Sequence, residues 1–432
     1  MGRIPSFKVR LFNTAKENSA TNAWNLNLSN GNMNTNTKAT NSNYVRPVSA
    51  SIINMEKEDI FEAYFNCRTG KRRTASALDY EVNYETRLLD LLDRINKRVY
   101  YPAKSICFVV TRPRFREVFA ASFEDRVIHH YAVLRLEPMF EKIFSNRAFS
   151  CRKGKGQLFG VNMLFNDIKE CSANYTGDCY IMKLDLKGFF MSISKRMAYN
   201  MVDKFIVENY KGSDIEDLRY VCKIIILHEP EKDCEIRSPA NLWEHLPENK
   251  SLFTNGGGLG LAIGNIFSQH FANFLLNNLD WYIEELGIKY HGRYVDDIYL
   301  IHENREKLLS CVHPIRELLS KYGLAINEKK FYLQHYTKGV QFTGAIVKPN
   351  KIYCGSRIIN NFKQAVKRLN NSTNINEIKR SVSSINSYLG LLRQHNEYNN
   401  RKKLLGMINQ RLFDYVYIKG RYEVVVLKKE YK

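Results

Sequence analysis

The sequence predicts an α+β protein, and three observations carry that prediction. The stretch GRYVDDIYLI (292–301) sets aromatic and β-branched residues on both sides of an Asp-Asp pair. That is the pattern of a β-hairpin with the acids at its tip. A short apolar run, Ile181, Met182 and Leu184, leads into Asp185 shortly before Gly188, as a buried strand delivering an acid at its end would. Apolar residues at helical spacing mark amphipathic helices in MEKEDIFEAYFNC (Ile60, Ala63, Tyr64) and YETRLLDLLDRINKRVY (Leu88, Leu91, Leu92, Ile95), and helices return in the tail from Ser356 to about Gly406.

The hairpin is the stretch with chemical consequence. Neighbouring side chains on a straight strand face opposite ways, so Asp296 and Asp297 can share one site only beside a turn. Carboxylates held together repel unless they are protonated or neutralised by a cation, and hard oxygen ligands suit Mg²⁺. An Asp-Asp turn by itself is most often only a turn, and Asp185 alone reads equally as a cap or turn residue. Together they describe a strand and a hairpin side by side, with three carboxylates around two metal ions. Such a site activates an attacking hydroxyl on one ion and stabilises the leaving oxygen on the other.

Composition agrees with a polyanionic partner. The chain has 432 residues, enough for two or three structural units, with a net charge of +21 and a pI near 9.4. Aromatic residues make up 12%, and many lie among Lys and Arg, which suits stacking on bases beside phosphate contacts. The nine cysteines show neither paired metal-ligand spacing nor a disulfide framework, so reduced thiols and a cytoplasmic protein are expected. No apolar run is long enough to span a bilayer, and no signal peptide is evident.

LDLKGFF (184–190), GLAIGNIFSQ (260–269) and YVDD (294–297) resemble motifs A, B and C of reverse transcriptases, in the order that family requires. The resemblance extends over residues 55–415. It implies a right-hand polymerase fold with fingers (55–175), a palm with an antiparallel sheet (176–350, interrupted by an insertion at 213–252) and a helical thumb (351–432). It further implies an RNA-directed DNA polymerase using two Mg²⁺ ions, with Mn²⁺ able to substitute. The ligands would be Asp185, Asp296 and Asp297, with Leu186 beside them.

The remaining motifs follow in chain order. REVFAASFEDRVIHH (116–130) resembles the first fingers motif; adjacent His129 and His130 point about 100° apart on a helix and do not chelate one ion. SNRAFSCRKGKGQLFGV (145–161) resembles the second, a basic Gly-containing loop, and the resemblance suggests Arg152 and Lys155 as triphosphate ligands. Phe190 occupies the position of the aromatic that excludes a 2′-OH by bulk. Lys330, in GLAINEKKFYL, falls where a motif D lysine protonates pyrophosphate, with Lys329 as its rival. GVQFTGAIV (339–347) resembles the primer-gripping motif E.

Within the family, motif B is informative. Many members carry a Gln where this chain has Ile263, and Ser-Pro where it has Ser268 and Gln269. An apolar residue followed by Gly264 and then Ser-Gln resembles the signature of diversity-generating retroelement enzymes, although Ala262 departs from their usual Pro. That subgroup copies a template-repeat RNA into cDNA mutated at adenines, from primer and dNTPs, and works with a small basic helical accessory protein. Retron, group II intron and phage-defence enzymes are the nearest alternatives, and a non-catalytic RNA-binding scaffold is the alternative from another class. The first 54 residues look unlike an enzyme. Nine Asn fall between Asn22 and Asn43, a composition that predicts a disordered arm. The string also resembles the diversified ends of retroelement target proteins, whose adenine-rich codons give Asn; in that case the frame runs through the template repeat and Met55 is an alternative start.

Overall fold

The structure, a computed structural model, describes residues 22–26, 33–37, 55–71, 73–111 and 114–431. Two short strands, β1 (Asn22–Leu26) and β2 (Met33–Thr37), pair antiparallel with Trp24 opposite Thr35. These ten residues belong to the Asn-rich stretch whose composition predicts a disordered arm. The rest of the expected arm lies outside the described residues.

Helices α1 (Lys57–Arg68), α2 (Ala75–Glu81) and α3 (Tyr84–Asn96) bury the residues their spacing selects, including Ile60, Ala63, Tyr64, Leu88, Leu91 and Ile95. Strands β3 (Ser105–Val110) and β4 (Arg116–Ala120) pair antiparallel. The long α4 (Phe123–Ile143), capped by the Ser122 hydroxyl on the Asp125 amide, then runs through the main core. After α5 (Gln157–Cys171) comes β5 (Tyr180–Asp185), followed by α6 (Phe189–Ser192), α7 (Lys195–Asn209) and α8 (Ile215–Leu227).

The segment read from sequence as an uninformative insertion has a definite role. Its strand β6 (Cys234–Ile236) joins β3 in parallel, completing a sheet ordered β4-β3-β6. The wholly buried Glu117 on β4 holds the segment by accepting from Trp243 Nε1 (2.8 Å), Ser251 Oγ (2.6 Å) and the Leu252 amide (2.7 Å).

The central sheet is built from β5, the hairpin β7 (Tyr290–Tyr294) and β8 (Asp297–His302), and β9 (Tyr332–His335), in the order β7-β8-β5-β9. Period-2 alternation divides it into two faces. Met182, Leu184, Ile298 and Leu300 pack into the core with α4 and α9 (Ile266–Glu285). Ile181, Tyr299 and Ile301 pack with Val161, Leu164 and Ile168 of α5 and with Phe342. Helices α10 (Arg305–Ser310) and α11 (Val312–Lys321) connect β8 to β9. Strands β10 (Val340–Phe342), β11 (Ala345–Lys348) and β12 (Lys351–Cys354) form a separate antiparallel sheet. The C-terminal helices α12 (Ser356–Asn370), α13 (Ile375–Leu392) and α14 (Tyr398–Leu405), with the hairpin β13 (Val416–Lys419) and β14 (Val424–Leu427), enclose their own apolar core. The fold is thus a mixed α/β assembly of several sheets and helices. Among the described residues no helix is long and apolar enough to cross a membrane.

Candidate active site

Pairing places the acids. Asp185, the last residue of β5, lies directly opposite Asp297, the first residue of β8, in an antiparallel register. The two side chains therefore leave the same face of the sheet. Tyr294 pairs with Asp297 across the hairpin, so the loop is only Val295 and Asp296. Val295 has φ +58°, the positive value that two-residue hairpin loops favour at their first position. The strand-then-turn expectation for these three carboxylates matches this arrangement.

Two lysines attend them. Lys330 Nζ donates to both oxygens of Asp185 at 2.7 Å, and Asn327 Nδ2 reaches Asp185 Oδ2 at 3.2 Å. The Asn327 amide also donates to the Asp185 carbonyl (2.7 Å), which fixes the end of β5. Lys183, two residues earlier on the same strand face, is buried with its ammonium 2.6 Å from Asp297 Oδ1 and 2.8 Å from the Gln341 carbonyl. Asp296 has neither lysine as a direct partner. Burial, and then the negative charge of Asp185, push its carboxyl up to about 6. Burial also raises Asp297, against the opposing pull of Lys183. Among the described residues no group of three His, Cys, Asp or Glu side chains stands arranged to hold a metal ion. Ammonium groups lie on Asp185 and Asp297 instead. Leu186 is apolar and buried, so only its carbonyl could serve a cation; its bridge to Ile326 uses the Asp185 carbonyl and the Lys187 amide and leaves that group unspent.

The Gly-rich entry to α9 packs against β4. The Ile263 carbonyl accepts from the Phe119 amide (3.1 Å), and Ile263 is partly buried against Cys107, Phe119 and Ala262. Gly264 has φ +120°, and a Cβ there would stand 3.0 Å from Val118 Cγ1 and 3.1 Å from the Phe119 carbonyl, so only glycine fits. The Leu261 amide donates to the carbonyl of Phe190 (2.8 Å), which joins this loop to α6. Phe190 is half-buried, edge-on to the buried Phe189 at 5.2 Å. Gln269 is exposed, and its amide oxygen accepts from the Cys151 thiol at 3.0 Å.

Arg152 stands apart from the expected role. Its guanidinium is buried, donating to Glu141 at 2.7–3.1 Å and to the Ser145 and Ala148 carbonyls at 2.6 and 3.0 Å. A side chain so committed braces the loop and is not a free cation for a triphosphate. Lys155 donates to the carbonyl and side chain of Asn146, and burial, then the charge of Arg152, lower its ammonium to about 8. Lys153 is exposed.

One group that sequence reasoning missed lies behind the hairpin. Arg293 and Asp280 are wholly buried and joined by two bonds, Nε to Oδ1 at 2.8 Å and Nη2 to Oδ2 at 2.6 Å. Arg293 Nη1 also reaches the Val295 carbonyl and Asn273 Oδ1, both at 3.3 Å. The available signal was an Asp inside a helix rich in apolar residues, which requires a partner when buried; the strand Tyr290–Tyr294 gave none for Arg293.

With this geometry in place, comparison with known families is decisive for the class. The family model described as reverse transcriptase (RNA-dependent DNA polymerase) matches residues 111–347, more than half of the chain. The chain belongs to the reverse transcriptase family and carries that family's nucleotidyltransferase domain. No curated protein matches the chain.

Proposed function

We propose that the protein is a Mg²⁺-dependent, error-prone reverse transcriptase of the diversity-generating kind, copying a template RNA into cDNA from dNTPs. The observation that carries the catalytic part is the convergence of Asp185, Asp296 and Asp297 at one end of the central sheet. The donor set fits a divalent cation. Hard carboxylate oxygens converge there, the fold already sets ammonium cations on two of them, and Asp296 is held in a form that a cation would relieve. Asp185, Asp296 and Asp297, with the Leu186 carbonyl, would hold two Mg²⁺ ions, or Mn²⁺ in their place. When bound, those ions supply charge neutralisation for in-line attack of a primer 3′-OH on the α-phosphate.

The chain's own residues do the rest. Lys330, with its ammonium within reach of the acids, is the proton donor to pyrophosphate. Lys155, together with exposed Lys153, replaces Arg152 as the cation facing the triphosphate. Phe190 forms the floor that rejects a 2′-OH. Residues 55–175, 176–350 and 351–432 act as fingers, palm and thumb, with β6 of the insertion serving the fingers. The C-terminal unit suits duplex backbone, because residues 351–432 carry 17 Lys and Arg against 5 Asp and Glu, a net +12 of the chain's +21. Lys363, Lys367 and Arg368 lie on the exposed face of α12.

The mutagenic part rests on motif B. Ile263 offers dispersion contacts where a Gln would offer a hydrogen bond, and Gln269 is turned toward Cys151. A small basic helical protein as partner belongs to this reading. The test is primer extension on an RNA template with Mg²⁺ and dNTPs, followed by cDNA sequencing. Synthesis is expected, with errors concentrated opposite template adenines. Asp185→Ala and Asp296→Ala should abolish it while RNA binding persists. Continued synthesis by either variant refutes the site, and evenly spread errors refute the retroelement assignment.

A further inference from the structure

The turn that carries Asp296 is held in a conformation its own sequence disfavours. Val295 is β-branched, yet it sits at φ +58°, where a Cβ crowds the following carbonyl. Such a conformation persists only when the surroundings impose it. Both polar groups of this residue are tied to buried side chains. The carbonyl accepts from Arg293 Nη1, and the amide donates to Ser150 Oγ, each at 3.3 Å. Ser150 comes from outside the hairpin, from the loop between α4 and α5, and is 1% exposed. Its hydroxyl proton goes to Asn273 Oδ1 (2.8 Å), and Asn273 Nδ2 returns a bond to the Ser150 carbonyl (2.6 Å). This reciprocal pair locks the hydroxyl so that its lone pair meets the Val295 amide. The neighbouring residues clamp the same loop, since the Phe149 amide donates to the Arg293 carbonyl (2.9 Å) and the Arg293 amide to the Arg147 carbonyl (2.8 Å).

We infer that Ser150, anchored by Asn273, is a positioning residue for polymerisation: it transmits the rigidity of α9 to the strained turn and so fixes where the Asp296 carboxylate points. It touches neither substrate nor any of the three acids among the described contacts, so its effect passes through the backbone of Val295. The inference rests on the reading of Asp296 as a metal-holding acid. It adds a residue in the fingers loop to which no part of the family motif reading assigns a role.

The test uses the full chain with Ser150→Ala, with near-isosteric Ser150→Cys carrying it if the first does not fold. Ser150→Ala should lower kcat about tenfold, the upper range for one lost hydrogen bond, with KM for dNTP changed less than about twofold. In the absence of metal and substrate, amide hydrogen exchange in the peptide around Val295 should accelerate while exchange in α9 stays as in wild type. Glycine adopts positive φ without the Cβ penalty, so in a Val295→Gly background the same serine change should cost about threefold or less. Unchanged exchange at the turn, or an equal loss of kcat in both backgrounds, overturns the inference. Asp296→Ala run beside these variants separates the two readings. If it still synthesises, the acid assignment fails; if it is inactive while Ser150→Ala matches wild type, only the positioning role fails.

Discussion

Asp280→Asn is the most informative single change behind the site. Asp280 and Arg293 are both 0% exposed in their side chains, and the carboxylate meets the guanidinium through two short bonds. The amide keeps the shape, but one of its ends is a donor facing a donor, and the guanidinium loses its counter-charge. Removing one partner of a buried pair costs about 3–5 kcal/mol. A domain of 150–250 residues loses about 2–4 °C per kcal/mol, so thermal unfolding should move down by about 6–20 °C. Replacing both partners, as in Asp280→Leu with Arg293→Met, removes the stranded charge and should recover most of that loss. It cannot recover the bond from Arg293 to the Val295 carbonyl, so primer extension at 25 °C should remain depressed by about tenfold in the stable double variant. Thermal unfolding followed by circular dichroism and extension rates on one template measure the two effects separately. A single variant melting within 2 °C of wild type would refute the energetic argument, and a fully active double variant would refute the link from the ion pair to the turn.

Three further outcomes are expected. Phe190→Ala should raise rNTP use relative to dNTP use by at least tenfold, measured as a ratio of kcat/KM values; an unchanged ratio removes the gating role. Asp296 ionises near pH 6 in the fold against its ordinary 3.8, so the unfolded chain loses this proton first and the metal-free fold loses stability as pH rises from about 4 through 6. Asp296→Asn should therefore be more stable than wild type at pH 7 by a margin that vanishes near pH 4, and parallel melting curves at both pH values contradict this. Ile263→Gln should lower misincorporation opposite template adenine by about two- to tenfold, the worth of one hydrogen bond, at some cost in rate. Sequencing cDNA from both enzymes decides it, and equal error rates would place the looseness elsewhere.

Much of the fold and of the acid cluster could be read from sequence because both depend on local patterns. The apolar runs beside Asp185 and Asp297 form strands packed on both faces, with Met182, Leu184, Ile298 and Leu300 on one and Ile181, Tyr299 and Ile301 on the other. Helical spacing likewise identified the buried stripe of α3. Pairings between distant residues were not legible. Nothing near CRKGKG shows that Glu141, at the far end of α4, turns Arg152 from a candidate ligand into a brace. Nothing in the mixed pattern of 213–252 shows that Cys234–Ile236 would extend the β3–β4 sheet, or that Glu117 would bind Trp243.

Lys183 is the instructive omission at the site itself. It lies between Met182 and Leu184 in the apolar run before Asp185, and nothing local in the sequence assigns it a role. The register supplies one. Residues 183, 185, 297 and 299 share a face, so the strand geometry that brings Asp185 opposite Asp297 also brings Lys183 beside them. There it is covered by Phe342, whose ring centre lies 5.3 Å from its ammonium, and is held by the Gln341 carbonyl. Two ammoniums against three carboxylates leave the cluster one negative charge in excess, and the acid without a lysine of its own, Asp296, is the one raised furthest. Lys183 is buried and fixed, whereas the Lys330 side chain is 40% exposed. The first is therefore a fixed counter-charge that opposes the effect of burial on Asp297, and the second is a cation free to exchange its partner.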